Sequence, residues 1–173
     1  MALTSGARLE ELGQCEVRDV ARYMDGEPRL SLTIACDAQG HKRTKTAASN
    51  RTIPIPPILL RLGFADYVAS LPADGRLFPD LMVDKFGLHT SRFSLWFNAT
   101  FLRKTLGITS KTKVFHSFRH TFITAGREVE MSDEVRKAIE GHAQGTVASK
   151  YGYVPLRTMR RFLEKMEFPG FPL

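Results

Sequence analysis

Long apolar runs are missing from this 173-residue chain, and no stretch approaches the ~18 residues of a membrane-spanning helix. Its opening, MALTSGARLEELGQ, lacks the basic-then-apolar layout of a signal peptide. Cysteine is scarce: Cys15 and Cys36 are far apart and not in a metal spacing, so both read as free thiols in a reducing cytoplasm. There is no internal repeat, no low-complexity tract and no G-x-x-x-x-G-K-[ST] loop. Acidic residues are in deficit, with 18 Asp and Glu against 25 Lys and Arg, a net charge of +7. A polyanionic partner would explain that excess, because each neutralised phosphate releases counterions, and so would a merely soluble basic domain. The rest is ordinary globular composition, enough for one domain with a sizeable core.

Periodicity predicts a mainly helical chain with one small antiparallel β-sheet, an α+β fold. A helix is expected over Thr4–Gly13, with Leu3, Ala7 and Leu12 able to share a face. Short strands are expected at Asp19–Tyr23, Pro28–Cys36 and Arg51–Pro54, with a turn at Asp37–Gly40 and a basic tip from His41 to Thr46. Pro56 and Pro57 open a helix over Ile58–Tyr67. Ser70–Thr90 is irregular. Ser91–Leu106 is helical, with Phe93, Trp96, Phe97 and Phe101 as core candidates. Phe115, Phe118, Phe122 and Val129 form one buried stripe of the next helix. Ser132 caps a short helix running to Ile139, and Gly141 breaks it. Pro155 starts a last helix with Leu156, Met159, Leu163 and Met166 on its apolar face.

The stretch from HSFRH to GHAQGTVASKY concentrates the chemistry. His116 and Arg119 are three apart, hence on one helix face. Gly141–His142 follows the short helix, and Tyr151 lies nine residues on. Singly, each has a bland reading: a solvated His and Arg, a core histidine, a packed tyrosine. A His116–His120 pair has zinc spacing, but residue 117 is serine rather than the glutamate of HExxH, and a third ligand is lacking. Together, a histidine, an arginine, a second histidine and a tyrosine are the groups needed to break a phosphodiester through a tyrosine–phosphate bond without a metal.

The ordered set resembles the catalytic domain of tyrosine recombinases, the phage-integrase family, over nearly the whole chain. SGARLEEL is similar to the family's first box, which implies that Arg8 is catalytic and Glu11 its supporting acid. KTAASNRTIPIP resembles the β-hairpin whose lysine reaches the scissile site, here Lys45, with Lys42 as a substitute. HSFRHT matches the second box, carrying over His116 and Arg119. GH carries over His142, and the tyrosine nine residues later is Tyr151, with Tyr153 as a neighbouring alternative. The GHAQGTVASKY string is similar to the end of lambda-type phage integrases. All six positions are filled in order. The resemblance implies that residues 1–173 form the C-terminal catalytic domain. It implies that core-binding and arm-binding domains are absent from the chain, and that residues 155–173 are a helix and tail sometimes exchanged between protomers.

The expected activity is metal- and ATP-independent cleavage and rejoining of double-stranded DNA at a recombination site, without a cofactor. Phenol is a weak nucleophile at neutral pH and needs a base or a positive field, a role for His116. Arg8 and Arg119 present planar donor forks to the phosphoryl oxygens, and Lys45 protonates the leaving 5′-hydroxyl. Lys42, Arg43, Arg92, Arg103, Lys104, Lys111 and Lys113 are candidate DNA-backbone contacts. A tetramer on DNA, a monomer as an isolated domain, DNA-bending accessory proteins, a cytoplasmic setting in a bacterium or phage-infected host, and no membrane association complete the expectation. The competing readings are a dimer resolvase, an integron or transposon recombinase, a type IB topoisomerase, a non-catalytic DNA-binding regulator, and a metal-dependent nuclease using Asp19, Asp37 and Asp133.

Overall fold

The structure is a computed structural model that describes residues 1–37, 42–44, 49–142 and 153–170. Where one helix is expected over Thr4–Gly13, there are two: α1 (Ala2–Ser5) and α2 (Leu9–Gly13). The break is Gly6, which adopts φ 62° and presses on the core: a Cβ there would lie 2.6 Å from Cδ1 of Phe122. Both conditions demand glycine. Arg8 consequently leaves the helix interior and becomes the extended N-cap residue of α2.

Three antiparallel strands follow, β1 (Val20–Asp25), β2 (Glu27–Ile34) and β3 (Arg51–Pro54), in the order β1-β2-β3. They match the three expected strands within a few residues. Leu32 faces Ile53 and Ile34 faces Arg51 across the β2–β3 pair. Leu32, Ile34 and Ile53 are buried, so the period-two rule turns Arg51 toward the same inner face. The expected helix over Ile58–Tyr67 is divided at Leu62–Gly63 into α3 (Pro57–Arg61) and α4 (Phe64–Ala69). Residues 70–90 are irregular, as expected, and are pinned where the Tyr67 hydroxyl donates to the Leu77 carbonyl at 2.7 Å.

Helix α5 (Ser91–Leu95) runs on as a π-helix over Trp96–Thr105. Its buried positions, Phe97 and Leu102, are five apart, as a π repeat requires. Phe97 packs among the rings of Phe93, Phe101, Phe115 and Phe118, with centroids 5.1–5.9 Å away. Trp96, expected in the core, is instead 49% exposed at the rim, one position before the buried Phe97, where it stacks on Phe101. Helix α6 (Ser117–Glu128) places Phe122 fully inside, a burial that contributes about 1.5–3 kcal/mol. Helix α7 (Asp133–Glu140) starts at Ser132, whose hydroxyl accepts from the Val135 N–H. It ends one residue beyond the expected Ile139, at left-handed Gly141.

The last helix, α8 (Leu156–Leu163), begins after Pro155 and buries Met159, Leu163 and, just past its end, Met166. It packs on β3 and α7 of the same chain. Arg160 adds an ion pair to Asp25 of β1 at 2.8 Å. Among the described residues, no helix is long and apolar enough to cross a membrane. With the apolar face of α8 already covered in cis, the chain is expected to scatter light as a monomer at every concentration without DNA. A stable tetramer under those conditions contradicts the cis docking.

Candidate active site

Arg8 enters the site because α2 begins there. Its N–H donates to Glu11 Oε2 at 2.9 Å, and its guanidinium donates to Glu11 Oε1 at 2.6 Å. Glu11 is 3% exposed and also accepts from Arg51 at 2.9 Å. Burial alone raises the Glu11 pKa; the Arg51 and Arg8 donors outweigh it and hold the carboxyl below the usual carboxylate range. Arg51 Nε and Nη1 donate to the carbonyls of Ile139 (2.6 Å) and Ser49 (2.7 Å). Gly141 is fixed by this arrangement: it has φ 69°, and a Cβ there would sit 2.3 Å from Arg51 Nη1.

Arg119 projects from α6 into the protein and is 3% exposed. Its Nη1 donates to the carbonyls of Gly6 and Glu140, the latter at 2.9 Å. Its Nη2 lies 3.3 Å from Glu140 Oε2 and 3.1 Å from His142 Nε2. Among the described residues, this leaves Nε as the donor free for a ligand, with the second Nη2 hydrogen on His142 Nε2. His142, with its side chain 44% exposed, places Nδ1 3.0 Å from Glu140 Oε2. That contact makes Nδ1–H the donor of the neutral ring and Nε2 the acceptor.

His116 lies at the N-terminus of α6, held by the N–H of Phe115 donating to Asn98 Oδ1 of the π-helix at 2.9 Å. Its pKa is lowered, first by desolvation and then by the positive field of His120, Arg119, Arg8 and His142. The pKa of His142 is lowered as well, by desolvation and then by Arg119, with Glu140 opposing. These mutual effects mark one electropositive cluster assembled from both ends of the chain. A cleft of about 290 Å³ opens beside it, lined in part by Ala7, Leu9, Ser94, Asn98, His116 and Arg119. Both histidines are thus neutral near pH 7 and able to accept a proton.

Arg8, Glu11, His116, Arg119 and His142 are therefore brought together. Lys45 and Tyr151 lie outside the described residues. Tyr153 is described and is 87% exposed. Lys42 requires a correction: far from being a surface cation, it is 9% exposed, and its ammonium donates to Asp19 (2.7 and 2.9 Å) and pairs with Glu16 (2.7 Å). Burial lowers its pKa, but those carboxylates outweigh this and raise it, so its ammonium is held in place as a buried, paired cation. Arg103 is also committed, donating to the carbonyls of Ile108 and Lys113 and so shaping the loop that bears Lys111 and Lys113. Arg43, Arg92, Lys104, Lys111 and Lys113 are exposed. Of the carboxylates considered for a metal, Asp19 is engaged by Lys42, and Asp133 by Arg136 and Lys137. The Cys15 thiol is buried and pushed up to about 12, which makes it chemically inert.

Two residues of the network escape a reading of the sequence. Arg51 shares the inner face of Ile53 by strand alternation, and that was the available signal. Glu140 pairs with Arg136 one turn earlier on α7, beside the apolar Val135 and Ile139. Its signal is hidden once the helix is taken to end at Ile139.

No family model matches this sequence, and no curated protein does. Among solved structures the chain is similar to the Tn1549 transposon integrase, residues 82–397, in complex with circular intermediate DNA. The TM-score is 0.52 and the identity 19%, over 95% of this chain and 57% of that one. The likeness shows a shared fold: the mainly helical α+β architecture with its small antiparallel sheet is that of the integrase. This chain spans little more than half the length of that structure.

The lowered histidine pKa values set a pH dependence. Between the folded values and the unfolded value of about 6.5, the unfolded chain binds more protons, so stability falls as pH drops through that window. Melting temperature is expected to decline from pH 7 toward pH 5, and the double variant His116→Gln/His142→Gln to flatten the decline. A slope unchanged by the double variant contradicts the assignment. The Glu11 contribution is lost separately, at more acid pH.

Proposed function

We propose that this chain is the catalytic domain of a tyrosine recombinase, a site-specific enzyme that cuts and rejoins DNA through a 3′-phosphotyrosine intermediate to integrate or excise a phage or other mobile element. The observation that carries this reading is the convergence of Arg8 and Arg119 with His116 and His142 in one electropositive cluster on an integrase fold.

In the proposed step the Tyr151 hydroxyl oxygen attacks the scissile phosphorus. A P–O bond to tyrosine forms as the P–O5′ bond breaks. His116, held neutral by its surroundings, accepts the phenolic proton. Arg8 and the free Nε donor of Arg119 bind the non-bridging oxygens, where negative charge grows in the pentacoordinate state. His142 Nε2, once protonated, adds a further donor. Lys45 gives its proton to the departing 5′-oxygen. The bond energy is kept in the phosphotyrosine, and a 5′-hydroxyl from another strand reverses the step. Atoms and charges balance without metal, ATP or cofactor. Lys42 is a poor substitute for Lys45, because two carboxylates hold its ammonium.

The substrate is double-stranded DNA. Arg43, Arg92, Lys104, Lys111 and Lys113 are the exposed cations suited to phosphate contacts, which set position rather than sequence. Assembly into a tetramer on DNA, exchange of residues 155–173 between protomers there, help from DNA-bending proteins, and action on cytoplasmic nucleoid DNA belong to the same proposal.

Incubation with a nicked suicide duplex carrying a mapped cleavage site is expected to yield a covalent adduct on a denaturing gel, unaffected by EDTA. Tyr151→Phe is expected to abolish it, Arg119→Ala to slow it by about 10²–10³-fold, and Tyr153→Phe to leave it. An adduct that survives Tyr151→Phe but not Tyr153→Phe moves the nucleophile. DNA binding without any adduct overturns catalysis in favour of a regulator. Relaxation of supercoiled plasmids that lack the site points to a topoisomerase instead.

A further inference from the structure

Glu140 is 0% exposed, yet nothing in the reaction above uses it. A carboxylate carrying charge at such depth is tolerated only when fully paired. Its pairing is specific. Oε1 faces Arg136 Nη1 at 3.2 Å. Oε2 faces two groups of the candidate site at once, Arg119 Nη2 at 3.3 Å and His142 Nδ1 at 3.0 Å. The Glu140 carbonyl takes Arg119 Nη1 at 2.9 Å. One residue thereby fixes both halves of the Arg119 fork and one nitrogen of His142.

We propose that Glu140 is a positioning residue of this site, whose buried carboxylate aims the Arg119 fork and holds His142 as the Nδ1–H tautomer, so that Nε2, which faces Arg119 Nη2 at 3.1 Å, rather than Nδ1, is the nitrogen left for the phosphate. The chemical half of this proposal rests on the phosphoryl-transfer reading; the placement of the two side chains does not. A carboxylate behind an imidazole selects the tautomer and stabilises the imidazolium that forms when an anion arrives. The charged groups facing His142 are Glu140 and Arg136 from α7, Arg119 from α6, Arg8 from the start of α2, and His116. Of these, Glu140 alone raises its proton affinity. Glu11 cannot substitute, because its carboxylate is engaged by Arg8 and Arg51.

The test is ¹⁵N NMR of the histidine rings across a pH titration, on the wild-type chain and on Glu140→Gln, Glu140→Leu and Arg136→Gln. Wild type is expected to show His142 as the Nδ1–H tautomer. Glu140→Gln, which keeps size but removes charge, is expected to move the His142 midpoint to lower pH and release the tautomer. Arg136→Gln is expected to move it to higher pH, because a repelling cation is lost. A purely structural role for Glu140 loosens the same helix end in both variants and moves both midpoints the same way, which overturns the proposal. So does an unchanged tautomer in Glu140→Gln. Should Glu140→Leu fail to fold, the opposite signs of the two glutamine variants still decide. Orthovanadate, as a probe of the phosphoryl site, is expected to bind Glu140→Gln about tenfold more weakly. On the suicide duplex, adduct formation by Glu140→Gln is expected to be slowed about 10²-fold, with DNA affinity retained. Unchanged adduct kinetics remove the chemical half. Absence of adduct with wild type itself, alongside the expected ring titrations, removes the phosphoryl-transfer reading and leaves the placement standing.

Discussion

A full positive charge sits inside this protein, on Arg119, and much of the surrounding architecture exists to accommodate it. Burying a guanidinium is costly unless its donors are met. They are met by the carbonyl of Gly6 near the start of the chain, and by the carbonyl and carboxylate of Glu140 at the end of α7. Gly6 must be left-handed and lack a Cβ to reach that position against Phe122. Arg51 repeats the device beside it, binding the carbonyl of Ile139 and the carboxylate of Glu11. Two guanidiniums thus occupy successive carbonyls at the C-terminal end of α7, where unsatisfied acceptors and the helix dipole both favour cations. The turn between α1 and α2, strand β3, and helices α6 and α7 are stitched together at this point.

In the proposed reaction, the same constraint prepares the chemistry. Arg8 is aligned by Glu11, Glu11 by Arg51, and Arg119 by Glu140, so the donors are oriented before any phosphate arrives. Preset dipoles and charges in a partly desolvated site need little rearrangement as negative charge grows, which is where electrostatic catalysis is strongest. Desolvation first, and then the clustered cations, lower the proton affinity of His116, which suits it to the base role proposed above.

Much of this was legible in the sequence. The three strands follow from alternation, and the Phe115–Val129 stripe from helical spacing. His116 and Arg119 share a face by a three-residue step. Arg8 was found through the resemblance of SGARLEEL to a recombinase box, whereas its position at a helix start was hidden, because apolar spacing runs unbroken across Gly6. The exposure of Trp96 is not legible, because a large aromatic in an aromatic-rich helix reads as core, and tertiary packing here buries its neighbour Phe97 instead. The burial of Lys42 is not legible, because its partners, Glu16 and Asp19, lie on another segment. Glu140 was passed over for a related reason: a carboxylate at a helix end is ordinarily solvated, and only tertiary packing turns this one inward.

The central claim is that Arg8 and Arg119 form a preset two-fork clamp for one phosphoryl group. The most direct measurement is a crystal structure of the chain with a cleaved DNA duplex and orthovanadate, which together mimic the pentacoordinate state. The account predicts vanadate bridging tyrosine and the 5′-oxygen, with guanidiniums of both arginines on its equatorial oxygens and the Glu11 and Glu140 contacts unmoved. Vanadate bound away from either arginine, or an Arg119 that must abandon Glu140 to reach it, would contradict the account.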